Sequence, residues 1–243
     1  MKSQLNIYIL TIGVLVSPVT HLRAEFIISP TTPNDGNGNY GAFFIPARLA
    51  PSVRYQELRS ASDFSSFGSP LLITEFSLWR HPLSLPIDFT LPNVAVHFST
   101  TTRSPVEISR VFAENIGANE TTVLSGPLHL VDTGGEYGIR IPLQTPFLYD
   151  PSQGNLLMDF WNYQTVSTPE NAQYSAYFAS TFAISIWFTA AGDAAAVRGT
   201  TASTGGLFTR FTVTPVPEPS TWLLLAAAVA TLAFARRISN RTR

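Results

Sequence analysis

Between residues 25 and 214, apolar and polar side chains change places in short runs, each closed by proline, glycine, asparagine or serine. Leu72, Thr74, Phe76 and Leu78 alternate with Ile73, Glu75, Ser77 and Trp79. Val94, Val96 and Phe98 alternate with Ala95, His97 and Ser99, and Tyr137, Ile139, Ile141 and Leu143 with Gly138, Arg140 and Pro142. Further runs cover residues 156–163, 177–188 and 207–213. Successive side chains of a strand point to opposite faces, so a period of two rich in β-branched and aromatic residues predicts half-buried antiparallel strands. Several such strands predict an all-β domain, an antiparallel two-sheet sandwich or jelly-roll-like fold. One stretch departs from the pattern. Ser104-Pro105-Val106-Glu107 has the spacing of a capping box with proline at the first helical position, and Ile108, Val111 and Phe112 follow on one face. It predicts one short helix over an end of the sheets, closed near Asn115 or Gly117.

The two ends have a different texture. Met1-Lys2-Ser3-Gln4 leads into an apolar run from Leu5 to Val16, and the stretch that follows ends in Arg23-Ala24. A basic start, a short apolar segment and a small residue at the cut predict a cleaved signal peptide over residues 1–24. At the other end, Val216-Pro217-Glu218-Pro219-Ser220-Thr221-Trp222 precedes an uncharged, Leu- and Ala-rich segment reaching Ala235. Arg236, Arg237, Arg241 and Arg243 follow it. As a helix, Thr221 to Ala235 extends about 22 Å against a hydrocarbon core of roughly 30 Å, a short transmembrane span. Trp222 suits one interface, and Arg236 and Arg237 suit the cytoplasmic side. The predicted organisation is a signal peptide (1–24), a β-sandwich exterior domain (25–214) and a sorting segment with a single hydrophobic helix and basic tail (215–243).

Charge sharpens this division. Residues 25–214 hold nine arginines against fifteen Asp and Glu, a net charge of −6, while four arginines crowd the last eight residues. An acidic middle without a basic stripe argues against nucleic acid as a partner. The chain has no cysteine, which removes thiol catalysis, thiolate metal sites and disulfides.

The order Val216-Pro217-Glu218-Pro219-Ser220-Thr221, apolar segment, arginine-rich end resembles the PEP-CTERM sorting signal. The resemblance implies export by a Gram-negative bacterium, commonly one that makes exopolysaccharide. It also implies processing by an exosortase, a membrane-embedded cysteine protease-transpeptidase. Pro217 and Pro219 fix φ and lack N–H donors, so the motif stays extended, the form a protease-like cleft binds. Three stretches of the middle, at residues 96–101, 112–118 and 146–157, and the Gly205-to-Thr212 ending are similar to a recurrent domain of PEP-CTERM proteins. That likeness spans about residues 60–214 and implies no activity.

Within the domain no nucleophile elbow, zinc-binding helix, P-loop or dinucleotide fingerprint occurs, and no cofactor is expected. His81, His97 and His129 show no ligand spacing. Asp35, Asn37 and Asn39 alternate as at the start of a calcium loop, but Pro46 stands where the closing acid belongs, so they are weak metal candidates. Asp132, Glu136, Asp150, Asp159 and Glu170 are the carboxylates from which a glycosidase pair would be drawn. Trp79, Trp161 and Trp187 are the candidates for a sugar-stacking platform. The expected function is that of a non-enzymatic exported surface or extracellular-matrix protein, transiently anchored and then sorted. The alternatives are a carbohydrate-binding module of the exopolysaccharide layer and, below it, a secreted hydrolase.

Overall fold

The alternating runs become antiparallel strands in the computed structural model, which describes residues 24–29, 40–41, 52–67, 70–79, 88–163, 176–179, 186–188, 193–203, 206–216 and 230. The strands are β1 (Glu25–Ser29), β2 (Tyr40–Gly41), β3 (Val53–Arg59), β4 (Leu71–Leu78), β5 (Asp88–Thr101), β6 (Thr121–Val131) and β7 (Ile139–Tyr149). They continue with β8 (Asn155–Asn162), β9 (Ala176–Ala179), β10 (Ile186–Phe188), β11 (Thr201–Ser203), β12 (Gly206–Leu207) and β13 (Thr209–Pro215). One sheet has the order β1-β13-β4-β7 and a larger one the order β11-β10-β3-β8-β5-β6; β12, β9 and β2 form a small third.

The two large sheets share one core. Ile27, Leu71, Ile73, Phe76, Phe147, Phe211 and Val213 of the four-stranded sheet are buried with Tyr55, Val94, Val96, Phe98, Leu156, Met158 and Phe160 of the six-stranded one. Aromatic rings from opposite sheets meet at the centre, with Phe76 centred 6.0 Å from Phe98 and 5.9 Å from Phe160, and Phe98 5.8 Å from Phe147. Edge and tilted contacts of this kind add to the area they bury. Gln144 of β7 donates to the Ser125 carbonyl of β6 and accepts from the Ser125 N–H, joining the edges of the two sheets. β1 is the opposite edge of the four-stranded sheet.

Prolines mark where the ladders end or buckle. Pro92 sits in the bulge of β5 between Leu91 and Val94, Pro127 lies on the edge strand β6, and Pro142 and Pro146 lie on the edge strand β7. Without an N–H, proline is tolerated at such places and not in a central ladder. A register shift between Ile73 and Glu75 also corrects the alternation expected for β4. Leu71, Ile73, Phe76 and Leu78 face the core, because one extra residue reverses the phase of the pleat halfway along.

The short helix expected from Ser104 does not form. Ser104 Oγ does bond Glu107 Oε2, and the Glu107 N–H reaches the Ser104 carbonyl, but the result is a single turn. Only Phe112–Asn115 winds further, as one 3₁₀ turn. The capping residues are present, yet Ile108, Phe112 and Ile116 lie flat on the six-stranded sheet, against Leu58 and Leu157 or over Arg54. Packing to the sheet overrides helical spacing here. Gly117 shows how close this loop lies, since a Cβ on it would stand 1.7 Å from the Thr100 carbonyl oxygen.

Candidate functional site

The sorting segment leaves the domain from the end of β13. That strand lies between β1 and β4, and its last rung pairs Pro215 with Leu71. The Val216 N–H then donates to the Pro70 carbonyl at 2.8 Å, one bond beyond the strand. Pro217 and Pro219, the next residues on the other side of the strand, carry no N–H to donate. Val216 is the last residue of this strand end that the structure describes, and Pro70 is a partner the sequence pattern alone did not reveal. Pro217, Glu218, Pro219, Ser220, Thr221, Trp222, Arg236 and Arg237 lie outside the described residues, as do residues 1–23 of the expected signal peptide. Of the apolar segment only Ala230 is described, and it is helical and exposed. Among the described residues no helix is long and apolar enough to cross a membrane.

The other end of the chain emerges beside it. β1 begins at Glu25, immediately after the expected cut at Ala24, and Glu25 pairs with Val213 of β13. Both terminal segments thus leave from the same end of the four-stranded sheet, on neighbouring strands.

At the opposite end of these two strands a buried polar clasp holds them to the six-stranded sheet. Arg59 at the end of β3 is fully buried and donates to the Ser29 carbonyl of β1 at 3.0 Å. It also donates to the Leu207 carbonyl and to Thr209 Oγ1 where β13 begins, both at 2.6 Å. Glu57 pairs with Arg59 and accepts the Leu207 N–H at 2.9 Å. Burial pushes the Glu57 carboxyl up and the Arg59 guanidinium down from their ordinary values, and each group's charge works against the shift of the other. Glu57 Oε2 and Arg59 Nε are buried without a hydrogen bond. A pair held under these conditions orients strands at some cost in desolvation. Ser29 Oγ donates to Asp63, and Phe64 beside it meets Tyr149 and Phe211 edge-on or tilted at 5.0 and 5.4 Å.

A second polar group lies under the loops covering the six-stranded sheet. Arg54 is bidentate to Asp159, with Nε–Oδ1 at 3.1 Å and Nη2–Oδ2 at 2.6 Å, and its third nitrogen donates to the Ala196 carbonyl. The guanidinium carbon stands 4.6 Å from the Phe112 ring centroid and 4.0 Å from that of Trp161. Gln56 donates to Asp159 Oδ2 and to the Phe112 carbonyl, while Asn115 donates to Gln56 Oε1 and to the Ser109 carbonyl. Every member is buried and bonded, which fixes the loops in place. Arg54, Gln56 and Asn115 carry no motif, and no spacing in the sequence points to them.

The remaining candidates fall apart in space. Trp79 follows β4 in the four-stranded sheet, and its N–H is bound to the Phe208 carbonyl. Trp161 lies in β8 and Trp187 in β10 of the six-stranded sheet, opposite Arg54 and Gln56 of β3 respectively. The three therefore make no single row on one sheet. Trp161 is half-buried, with His97 and Tyr163 centred 5.6 and 5.9 Å away. His97 bonds Thr122 and stands 3.7 Å from Glu120; His129 bonds Asp88 at 2.7 Å.

Each described carboxylate of the glycosidase set except Glu136, which is exposed, is engaged locally. Asp159 is taken by Arg54. Asp132 accepts the Gly134 N–H of its own turn. Asp150 caps Pro151–Gln153, and its bonds from Ser152 hold its carboxyl below the usual range. Asp35, Asn37, Asn39, His81 and Glu170 lie outside the described residues.

Residues 215–237 match the family of the PEP-CTERM protein-sorting motif. No curated protein and no solved structure matches the chain. The match starts at Pro215, the last residue of β13, and runs through the apolar segment into the first two tail arginines. The chain carries a PEP-CTERM sorting motif, which directs an exported protein to an exosortase at the membrane, as the residues around Pro217 led us to expect.

Proposed function

We propose that this is a non-enzymatic surface or extracellular-matrix protein of a Gram-negative bacterium, held briefly by its tail and released or transferred when an exosortase acts near Pro217. The observation that carries the reading is the sorting motif beginning where β13 ends. The domain supplies a folded body up to Val216, and the two prolines that follow favour an extended segment. A transpeptidase needs such a substrate, an accessible extended segment beside a membrane anchor. The buried Arg54–Asp159 pair and the Asp132 and Asp150 turns support a structural use of the acids rather than a catalytic one.

Intact mass of the mature protein, compared between the native host and a strain lacking its exosortase, tests this. We expect the tail to be lost from near Pro217 only where the enzyme is present. A tail retained in both strains makes the segment a plain anchor and refutes the reading.

A further inference from the structure

The outer face of the four-stranded sheet carries a gradient that runs along its strands. Its outward residues form rows across the sheet, fixed by register. The row nearest the end where both terminal segments leave is Thr214–Leu72–Leu148. The next is Phe26–Thr212–Glu75–Pro142, and the third is Ile28–Arg210–Ser77–Arg140. Phe26 and Ile28 on the edge strand β1 are 59% and 43% exposed, and Leu148 on the opposite edge strand β7 is 55% exposed. Cations lie farther back, with Arg210 4.7 Å over the Phe26 ring and Arg140 bound to Glu75. The described carboxylates toward the leading end are Glu25, beside the α-amine that the expected signal cleavage would free, Asp150, tied to Ser152, and Glu75 in the row of Phe26, tied to Arg140.

Chain length decides what meets this face. Between Val216, hydrogen-bonded to Pro70, and the apolar segment starting at Thr221 stand only Pro217, Glu218, Pro219 and Ser220. Fully extended, such a tether spans roughly 14–18 Å. While the tail is in the bilayer, this end of the sheet is therefore held at the headgroup layer. An apolar leading row with cations behind it suits that layer, where apolar side chains enter about 5–10 Å and basic ones reach phosphates.

We propose that the outer face of the four-stranded sheet, led by Leu148, Leu72 and Phe26, rests on the lipid headgroups before processing. The domain then docks on the membrane and does not hang free on its tail. This rests on the sorting reading above, since it requires the anchored precursor.

The absence of cysteine makes the test direct. The chain is purified with its tail from the exosortase-deficient host as four single-cysteine variants, each carrying an environment-sensitive fluorophore: Phe26→Cys, Leu148→Cys, Val106→Cys and Val197→Cys. The last two are 72% and 71% exposed in the loops over the other sheet and serve as controls. Each is reconstituted in vesicles of phosphatidylethanolamine and phosphatidylglycerol with and without headgroup-level nitroxide lipid. We expect the chain to float with the vesicles and nitroxide to quench positions 26 and 148 at least about twofold more than 106 and 197, as interfacial insertion requires. Flotation with equal or no quenching at the four positions overturns the docking and leaves the anchor standing. A blue shift at 26 and 148 without quenching, accompanied by cross-linking between chains, also overturns it and makes a second copy the occupant. Failure to float removes the anchored premise, and the docking falls with it.

Discussion

The two large sheets treat their outer faces in opposite ways. The six-stranded sheet is roofed by residues 103–119 and 193–200, which lock together through a Val111–Arg198 bridge and the Gly199 N–H donating to the Arg110 carbonyl. Beneath that roof Arg54, Asp159, Gln56 and Asn115 spend their hydrogen bonds on one another and on loop carbonyls. On the four-stranded sheet Phe26, Ile28 and Leu148 stay exposed, and among the described residues no loop roofs them. On it the exposed Arg140 reaches across to the buried Glu75. Among the described residues, one outer face is roofed by loops and the other keeps three large apolar side chains exposed. Both terminal segments leave from strands of this second sheet.

The most damaging way to break this contrast is to take the charge from under the roof. Arg54→Leu leaves Asp159 buried, with Gln56 as its remaining side-chain partner. An uncompensated buried charge costs about 3–5 kcal/mol, so the urea midpoint is expected to fall steeply. Arg54→Leu combined with Asp159→Leu removes both charges and is expected to recover most of the loss. A single variant costing under about 1 kcal/mol would show that the pair does not hold the roof. A smaller break targets the loop itself. Asn115→Ala strips the bonds to Gln56 Oε1, the Ser109 carbonyl and the Ser109 N–H. We expect a loss of about 1–3 kcal/mol, together with faster amide exchange confined to the 103–119 loop.

The same contrast explains how much the sequence disclosed. β4 and β13 are half-open, so core residues alternate with outward polar ones, and both were legible as strands. β3 is buried along its whole length, yet it reads Val-Arg-Tyr-Gln-Glu-Leu-Arg. Its charged residues are matched by partners far along the chain, Asp159 for Arg54 and Ser29 for Arg59. No local periodicity encodes such partners, so the strand was missed. β6 was hidden by Gly126-Pro127, which a bulge absorbs. The expected helix failed for a related reason, since its capping box was local and the sheet beneath it was not. The sorting motif was fully legible, because prolines, apolar length and terminal arginines act through properties that need no partner in the fold. What the motif could not show was that β1 and β13 bring the two ends of the β-rich domain side by side.

The smallest expected effect lies on the open face, and its smallness is informative. Phe26 is more than half exposed on an edge strand, with Arg210 over its ring. Phe26→Ser forfeits little burial and one exposed cation–π contact, so the purified domain in solution is expected to change by no more than about 0.5–1 kcal/mol in urea unfolding. A core phenylalanine such as Phe76 would lose several times that on truncation, about 3–5 kcal/mol. A near-neutral result would mean that folding does not need a large aromatic ring at position 26. The ring would then be there for a contact outside the folded chain, as the vesicle measurement tests. A loss comparable to that of a core residue would place Phe26 inside the domain's own packing, and the difference between the two faces would disappear.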